Sequence, residues 1–133
     1  MDKIKILAVD DEAYVLKIIK DLFHNHALWT ETSPLKASSL IKDQKFDIFI
    51  IDYQMKELTG IDLLKKIQAD YKNHTYVSIL CTASGTIYLF KEELKQGVFD
   101  YFAEKPFDIK SLKQIMDNAI ITLGRIRSKV KQG

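Results

Sequence analysis

Five short apolar runs rich in β-branched residues recur along the chain, with helical patterns between them. The run at 47–51 (DIFII) is almost purely apolar after its first residue, which is typical of a strand buried on both faces of a parallel sheet. The second run, at 27–32 (ALWTET), is expected to form a short strand at the edge of the sheet. The runs predict strands at Ile4–Val9, Ala27–Thr32, Asp47–Ile51, Tyr76–Cys81 and Phe99–Ala103.

The stretches between these runs show the period of amphipathic helices. In the first stretch, apolar residues from Val15 to Phe23 recur at spacings of three and four residues, which places them on one helix face. Ser33-Pro34 predicts the start of the second helix, with serine at the cap and proline at the first helical position. Residues 53–60 have no clean period and are predicted to form a loop. Helices are predicted at 12–26, 33–41, 61–69, 86–96 (ended by Gly97) and from about Asp108 through Leu123.

Strict alternation of strands and helices predicts an α/β fold with a doubly wound, five-stranded parallel sheet and helices on both faces. The chain has 133 residues and contains no internal repeat. We therefore expect one domain over residues 1–124. Residues 125–133 are expected to be a basic extension of the last helix and a linker to an output domain.

The composition is that of an ordinary globular protein and excludes several other classes. Hydrophobic residues make up 47% and charged residues 29% of the chain, with five glycines and two prolines. No apolar run approaches the ~18 residues of a membrane span, and the charged start is unlike a signal peptide. Cys81 is the single cysteine, which excludes an internal disulfide and a multi-cysteine zinc site. We expect a cytoplasmic protein with no membrane partner.

The net charge of +2 is unevenly distributed along the chain. Four basic residues lie in the last nine positions, and without them the body has 16 basic against 18 acidic residues. The body therefore shows no basic face, and direct nucleic-acid binding by this domain is not expected. The tail is interpreted first as a solvated helix end, because cations suit a helix C-terminus, and otherwise as a linker or contact segment. Its basic residues are Arg125, Arg127, Lys129 and Lys131.

Groups used in phosphoryl chemistry follow four of the five predicted strands. They are Asp10 and Asp11 after the first, Asp52 after the third, Thr82 after the fourth and Lys105 after the fifth. Open parallel sheets bind ligands outside the carboxyl ends of their strands, so these groups are expected to share one rim. Each one alone is more commonly a solvated loop residue or a helix cap. Three carboxylates about 5 Å apart repel by about 3 kcal/mol per pair, so a cation is expected among them, and oxygen ligands suit Mg²⁺.

In these motifs the sequence resembles the receiver domain of bacterial two-component response regulators. The resemblance implies a (βα)5 flavodoxin-like fold and a signalling domain that catalyses its own modification rather than a turnover enzyme. It extends from about Lys3 to Leu123 and rests on Asp10-Asp11 in VDDE, Asp52 in DIFIIDYQM, Thr82-Ala83 and Lys105-Pro106.

The resemblance implies a role for each matching residue. Asp52 would be the phosphoacceptor that attacks a phosphohistidine. Lys105 and Thr82 would contact the phosphoryl group. Phe102, three residues before Lys105, would act as a switch that moves inward with Thr82. Mg²⁺, or Mn²⁺ in its place, would be held by Asp10, Asp11, Asp52 and the backbone carbonyl of Gln54.

The resemblance also implies the partners. They are a sensor histidine kinase or a phosphotransfer protein, an output domain fused in a longer parent chain, and a second copy of the domain. The second copy would bind through the face of the fourth helix, fifth strand and fifth helix, which phosphorylation is expected to switch. The basic extension favours a receiver from a longer protein over a complete single-domain regulator.

Lys56 departs from the family pattern, which usually has proline at this place. The change removes a constraint on φ and puts a cation near the acidic pocket. Gln54 and Ser84 occupy the variable positions that tune autodephosphorylation in such domains. The sequence therefore predicts no phosphoryl lifetime.

Three other classes of function are open to the same fold. A flavin-binding module requires a Ser/Thr/Gly-rich phosphate loop after the first strand, where this chain has the anionic VDDEAY. An aspartyl phosphatase typically has an Asp-x-Asp arrangement there, whereas Asp10 and Asp11 are adjacent. A degenerate receiver that acts only by protein contact would not need the intact set of pocket residues.

Overall fold

The structure is a computed structural model, which describes residues 3–132. Strands and helices alternate along the chain, with one 3₁₀ turn, Ile87–Phe90, before the fourth helix. The strands are β1 (Lys5–Val9), β2 (Ala27–Glu31), β3 (Ile48–Asp52), β4 (Val77–Ala83) and β5 (Tyr101–Lys105). The helices are α1 (Ala13–Leu22), α2 (Pro34–Asp43), α3 (Gly60–Asp70), α4 (Lys91–Lys95) and α5 (Ile109–Gln132).

The strands form one parallel sheet in the order β2-β1-β3-β4-β5. This confirms the predicted doubly wound fold, with β2 at an edge. The chain leaves β1 toward β2 and then crosses to β3 on the other side, so the strand order reverses between β1 and β3. In open parallel sheets the crevice at such a reversal is the usual ligand site.

Two hydrophobic layers cover the sheet, because side chains of successive strand residues point to opposite faces. On one face, Leu7 and Phe49 pack in a cluster with α2 and α3. On the other face, Ile6 and Ile50 pack in a cluster with α1 and α5. All five residues of β3 are buried, as the apolar run predicts for a central strand. Cys81 lies in the second layer as a buried core residue.

The ends of several elements differ from the prediction. β4 continues through Thr82 to Ala83, and β5 lies two residues later than predicted, because Thr82 pairs with Glu104 and Ala83 with Lys105 in the ladder. Ladder hydrogen bonds use the backbone, so a polar side chain at the rim does not end a strand. The predicted fourth helix is divided into the 3₁₀ turn and α4, and it stops at Gly97 as predicted, with φ +73.

The last helix, α5, is 24 residues long and is anchored at the amino-terminal ends of the strands. The guanidinium of Arg127 forms an ion pair with the carboxylate of Asp47, and Nε of Arg127 lies 3.4 Å from the hydroxyl of Thr75. Asp47 also accepts a hydrogen bond of 2.8 Å from the backbone N–H of Lys5. Arg127 is thus paired and only partly exposed, whereas Arg125, Lys129 and Lys131 of the same tail are exposed on the helix. Gly133, the last residue of the predicted extension, lies outside the described residues.

Within residues 3–132, no helix combines the length and the hydropathy that crossing a membrane would require.

Gly60 lets α3 begin directly against the end of β3. A Cβ at this position would lie 2.2 Å from the carbonyl oxygen of Asp52, and the Gly60 N–H donates to the carbonyl of Tyr53 at 2.7 Å. The preceding Thr59 forms a capping box with Asp62. The helix start and the strand end are thus held in backbone contact that leaves no space for a side chain.

We expect Gly60→Ala to lower the free energy of unfolding by about 1–3 kcal/mol, because the added methyl group must displace backbone. Urea denaturation followed by circular dichroism measures the change. Gly124→Ala is the matched control, since a Cβ at this position of α5 meets nothing within 4 Å and alanine stabilises a helix by about 0.5–1 kcal/mol relative to glycine. Equal effects of the two substitutions would contradict the role of Gly60.

Candidate functional site

Three carboxylates converge at the carboxyl ends of β1 and β3. Asp10 and Asp11 follow β1 directly, and Asp52 is the last residue of β3. One carboxylate oxygen from each residue lies within 4.8 Å of the others. Asp10 is 2% exposed and Asp52 6% exposed, so the charges are largely removed from water. The register of two adjacent parallel strands therefore produces the acidic cluster.

Lys105 brings the compensating charge from the edge strand β5. Its ammonium lies 2.5 Å from Oδ2 of Asp10 and 3.0 Å from Oδ1 of Asp52. Side chains two residues apart on a strand point to the same face of the sheet. Lys105 therefore lies on the same face as Ala103, and Asp52 on the same face as Ile50, which is the face covered by α1 and α5. The ammonium thus lies beside both buried carboxylates, and Asp11 stays at the more exposed side of the cluster.

Burial determines the protonation of these groups. Burial, together with the charge of Asp10, raises the pKa of Asp52 to about 6, although the hydrogen bond from Lys105 acts in the opposite direction. Burial also raises the pKa of Asp10, against the stabilising bonds from Lys105 and the N–H of Glu12. The two carboxylates raise the pKa of Lys105 despite its own burial. Lys105 therefore remains a cation while Asp52 titrates.

The cleft above the cluster has a volume of about 770 Å³ and opens to the surface. Its lining includes Asp11, Asp52, Gln54, Thr82 and Lys105. The donor set consists of hard carboxylate oxygens, with the loop carrying Gln54 on the cleft wall. Such a set fits Mg²⁺ or Mn²⁺ better than a softer metal. The residues present thus fit the ion that the sequence predicts.

Thr82 lies on the wall of the cleft and is 3% exposed. Its hydroxyl oxygen is 2.7 Å from the hydroxyl oxygen of Thr86, four residues later. The loop between them is fixed to β5, since the hydroxyl of Ser84 donates to the carboxylate of Glu104 at 2.8 Å. Lys56, which stands where receiver domains usually have proline, also lines the cleft and is exposed.

Phe102 does not belong to the cleft. It lies on β5 opposite Leu80 of β4, with 37% of its surface exposed, and lines a separate groove with Pro106 and Ile115. The structure therefore brings together Asp10, Asp11, Asp52, Thr82 and Lys105, with Gln54 on the wall, and leaves the predicted switch residue on the outer surface.

Two residues of the cleft have no signal in the sequence pattern. Thr86 is hydrogen-bonded to Thr82 through its hydroxyl group, and Phe90 packs against Tyr53 with a ring-centroid distance of 4.6 Å. A threonine before a helix and a phenylalanine within an apolar stretch are both common. The signal that could have found Thr86 is the i, i+4 spacing from Thr82, which is informative only if the intervening turn is known.

Comparison with known proteins agrees with this geometry. Residues 6–117 match the family model of the response regulator receiver domain. The chain is 31% identical over 122 residues to a chemotaxis protein CheY homolog of Campylobacter jejuni, with 89% of this chain and 93% of that protein covered. It is 32% identical over 123 residues to the transcriptional regulatory protein ZraR of Escherichia coli, which covers 90% of this chain but only 27% of that protein.

Solved structures with a similar fold include another chemotaxis protein. The chemotaxis protein CheY4 of Vibrio cholerae superimposes with a TM-score of 0.79 at 20% identity, covering 89% of this chain and 99% of that one. At this identity the likeness concerns the fold alone. The family model extends from β1 into the first part of α5 and includes the acidic rim described above. The chain belongs to the response regulator receiver domain family.

Proposed function

We propose that Asp52 accepts a phosphoryl group from a phosphohistidine, on a sensor histidine kinase or a phosphotransfer protein, in a Mg²⁺-dependent reaction. One observation carries the proposal: the Lys105 ammonium contacts the carboxylates of both Asp10 and Asp52, with Asp11 in the same cluster. A partly buried cation among three carboxylates at a strand-order reversal is a site arranged for an anionic ligand and a metal.

The chemistry follows from the contacts of each residue. A carboxylate oxygen of Asp52 forms the new P–O bond as the P–N bond to histidine breaks, and the leaving imidazole takes up a proton from solvent. The Lys105 ammonium pairs with a phosphoryl oxygen, while Asp10 holds it in place. Asp10, Asp11, Asp52 and the Gln54 carbonyl are proposed to hold Mg²⁺, which neutralises charge on the transferring phosphoryl group when bound. Thr82 supplies a hydroxyl to another phosphoryl oxygen.

The proposed output is a change in the face formed by α4, β5 and α5. Lys105 connects the site to β5, and the turn after β4 connects it to α4, because Thr82 contacts Thr86 and Tyr53 packs against Phe90. Phe102 lies on this face with more than a third of its surface exposed. We propose that Phe102 moves inward with Thr82 after phosphorylation. We also propose that two copies of the domain form a homodimer through this face.

In this proposal the protein is a cytoplasmic phosphoacceptor that catalyses its own modification and is not a turnover enzyme. Residues 1–124 form the receiver, and 125–133 form a basic extension that leads to an output domain. Relatives such as ZraR, of which this chain covers 27%, support fusion to further domains. The domain itself is proposed not to bind nucleic acid.

Asp52 is expected to be the single site of modification. Acetyl phosphate with Mg²⁺ should label the wild-type protein, whereas Asp52→Asn should stay unlabelled because an amide cannot form the acyl phosphate. Intact-mass spectrometry measures the added phosphoryl group. Asp70→Asn, at an exposed position at the end of α3, is the matched control and should be labelled like the wild type. Equal labelling of Asp52→Asn would reject the assignment.

The charge cluster is expected to make stability depend on pH. The pKa of Asp52 is raised from 3.8 to about 6 in the fold, so the folded protein binds the extra proton and loses stability as pH rises through that range. The free energy of unfolding of Asp52→Asn should therefore exceed that of the wild type by an amount that grows between about pH 4 and pH 6 and levels off at about 2–3 kcal/mol.

Thermal melting of the wild type and of Asp52→Asn over this pH range, in EDTA, measures the difference in stability. Asp70→Asn should show no comparable trend with pH. Millimolar Mg²⁺ at fixed ionic strength should raise the melting temperature of the wild type by mass action, and raise that of Asp52→Asn less, because one ligand charge is missing. A constant difference between Asp52→Asn and wild type across pH, or no effect of Mg²⁺, would show that the carboxylates do not interact as described.

Modification of Asp52 is expected to alter residues 84–110. Beryllofluoride with Mg²⁺, a mimic of the phosphoryl group, should shift backbone amide resonances in this segment, because the site contacts it through Thr82 and Lys105. Two-dimensional nitrogen–proton NMR spectra of the wild type and of Asp52→Asn measure the effect. Shifts confined to the loop after Asp52 would contradict the proposed switch.

A further inference from the structure

The hydroxyl of Thr82 is already engaged in a hydrogen bond that the phosphorylated state would have to break. Its oxygen lies 2.7 Å from the hydroxyl oxygen of Thr86, and the Thr86 oxygen lies 2.6 Å from the carbonyl oxygen of Ala83. A carbonyl oxygen only accepts, and a hydroxyl has a single proton. Thr86 therefore donates to Ala83, and Thr82 must donate to Thr86.

This direction of donation creates a competition at the proposed site. A phosphoryl group offers only acceptor oxygens, so Thr82 can bind it only with the proton that it now gives to Thr86. Thr82 is 3% exposed and lines the same cleft as Asp52 and Lys105. Each hydroxyl proton has one destination at a time, so the two hydrogen bonds of Thr82 exclude each other.

The backbone holds Thr86 in the place where it can compete. The turn from Ala83 to Thr86 is closed by the N–H of Thr86, which donates to the carbonyl of Ala83 at 3.2 Å. The same turn is fixed to β5, because the N–H of Ser84 donates to the carbonyl of Lys105 at 3.2 Å. The carbonyl of Thr86 then accepts from the N–H of Leu89 and starts the 3₁₀ turn that leads into α4.

We infer that Thr86 is a positioning residue of this site: its hydroxyl oxygen holds the proton of Thr82 and thereby opposes the recruitment of Thr82 to a phosphoryl group on Asp52. The inference rests on the proposed function and adds a residue that controls how readily the switch responds. Thr86 is only half-buried, so water can replace Thr82 as its donor after the switch. The hydrogen bond therefore makes the recruitment of Thr82 to the phosphoryl group less favourable, but it does not prevent it.

The test is the affinity for beryllofluoride in the presence of Mg²⁺, measured by NMR titration of the full chain. Thr86→Val keeps the β-branched shape and removes the acceptor, so it should lower the Kd for beryllofluoride by about twofold to tenfold, the usual net value of one hydrogen bond. Thr86→Ser keeps the hydroxyl and should stay within about twofold of the wild type. Thr86→Ala, which removes the same oxygen with less bulk, is measured in parallel and should show the gain even if the valine variant does not fold.

A double-mutant cycle separates this role from a change in loop packing. In a Thr82→Val background the proton is absent, so Thr86→Val should no longer alter the affinity. The inference is overturned if Thr86→Val and Thr86→Ala bind beryllofluoride no more tightly than the wild type, or if the gain persists without the Thr82 hydroxyl. In those cases wild-type binding still depends on Asp52, and the proposed function stands. Absence of Asp52-dependent binding in the wild type would overturn both.

Discussion

The contact of one ammonium with two buried carboxylates is the interaction on which the site depends. Asp10 and Asp52 are nearly inaccessible to water, and an isolated pair of such charges would be strongly unfavourable. Lys105, at 2.5 Å and 3.0 Å from them, offsets only part of the cost, since burial and then the charge of Asp10 still raise the pKa of Asp52 to about 6. The remaining excess of negative charge supports the proposal that the cleft holds a further cation and that Asp52 is the phosphoacceptor.

The same residues connect the charge cluster to the outer face of the domain. Lys105 belongs to β5, so a change in its partners acts directly on the edge strand. Thr82 contacts Thr86 at the turn before α4, and Tyr53, next to Asp52, packs on Phe90. Thr86 precedes the 3₁₀ turn and Phe90 ends it, so both contacts are made directly before the short helix α4. A helix of five residues has few backbone hydrogen bonds of its own, which supports the proposed change in this face.

The opposite edge of the sheet is built for rigidity. Asp47 holds the start of β3 to the backbone of Lys5 and forms the ion pair with Arg127 of α5. Nearby, the hydroxyl of Tyr71 donates toward the carbonyl of Gln44 at 2.8 Å and accepts from the N–H of Phe46 at 3.1 Å. These bonds hold the core and the long last helix together at the end that is remote from the cleft.

The sequence by itself determined the fold, the order of the elements and the identity of the acidic rim. Apolar runs and helical periods are local properties, and parallel topology places every strand's carboxyl end at one edge, so Asp10, Asp52, Thr82 and Lys105 could be assigned to one rim without coordinates. Strand ends were less predictable, because β4 and β5 continue through polar residues whose backbone pairs in the ladder.

Only the tertiary structure decided which side chains touch. The donation from Thr82 to Thr86 depends on the turn at Gly85 (φ +79), and the exposure of Phe102 depends on the register of β5 against β4. The anchoring of Arg127 joins residues 80 positions apart, a distance over which no local pattern operates. Periodicity specifies which face a residue occupies, but contacts between elements are fixed by register, turn conformation and packing, which are properties of the assembled chain.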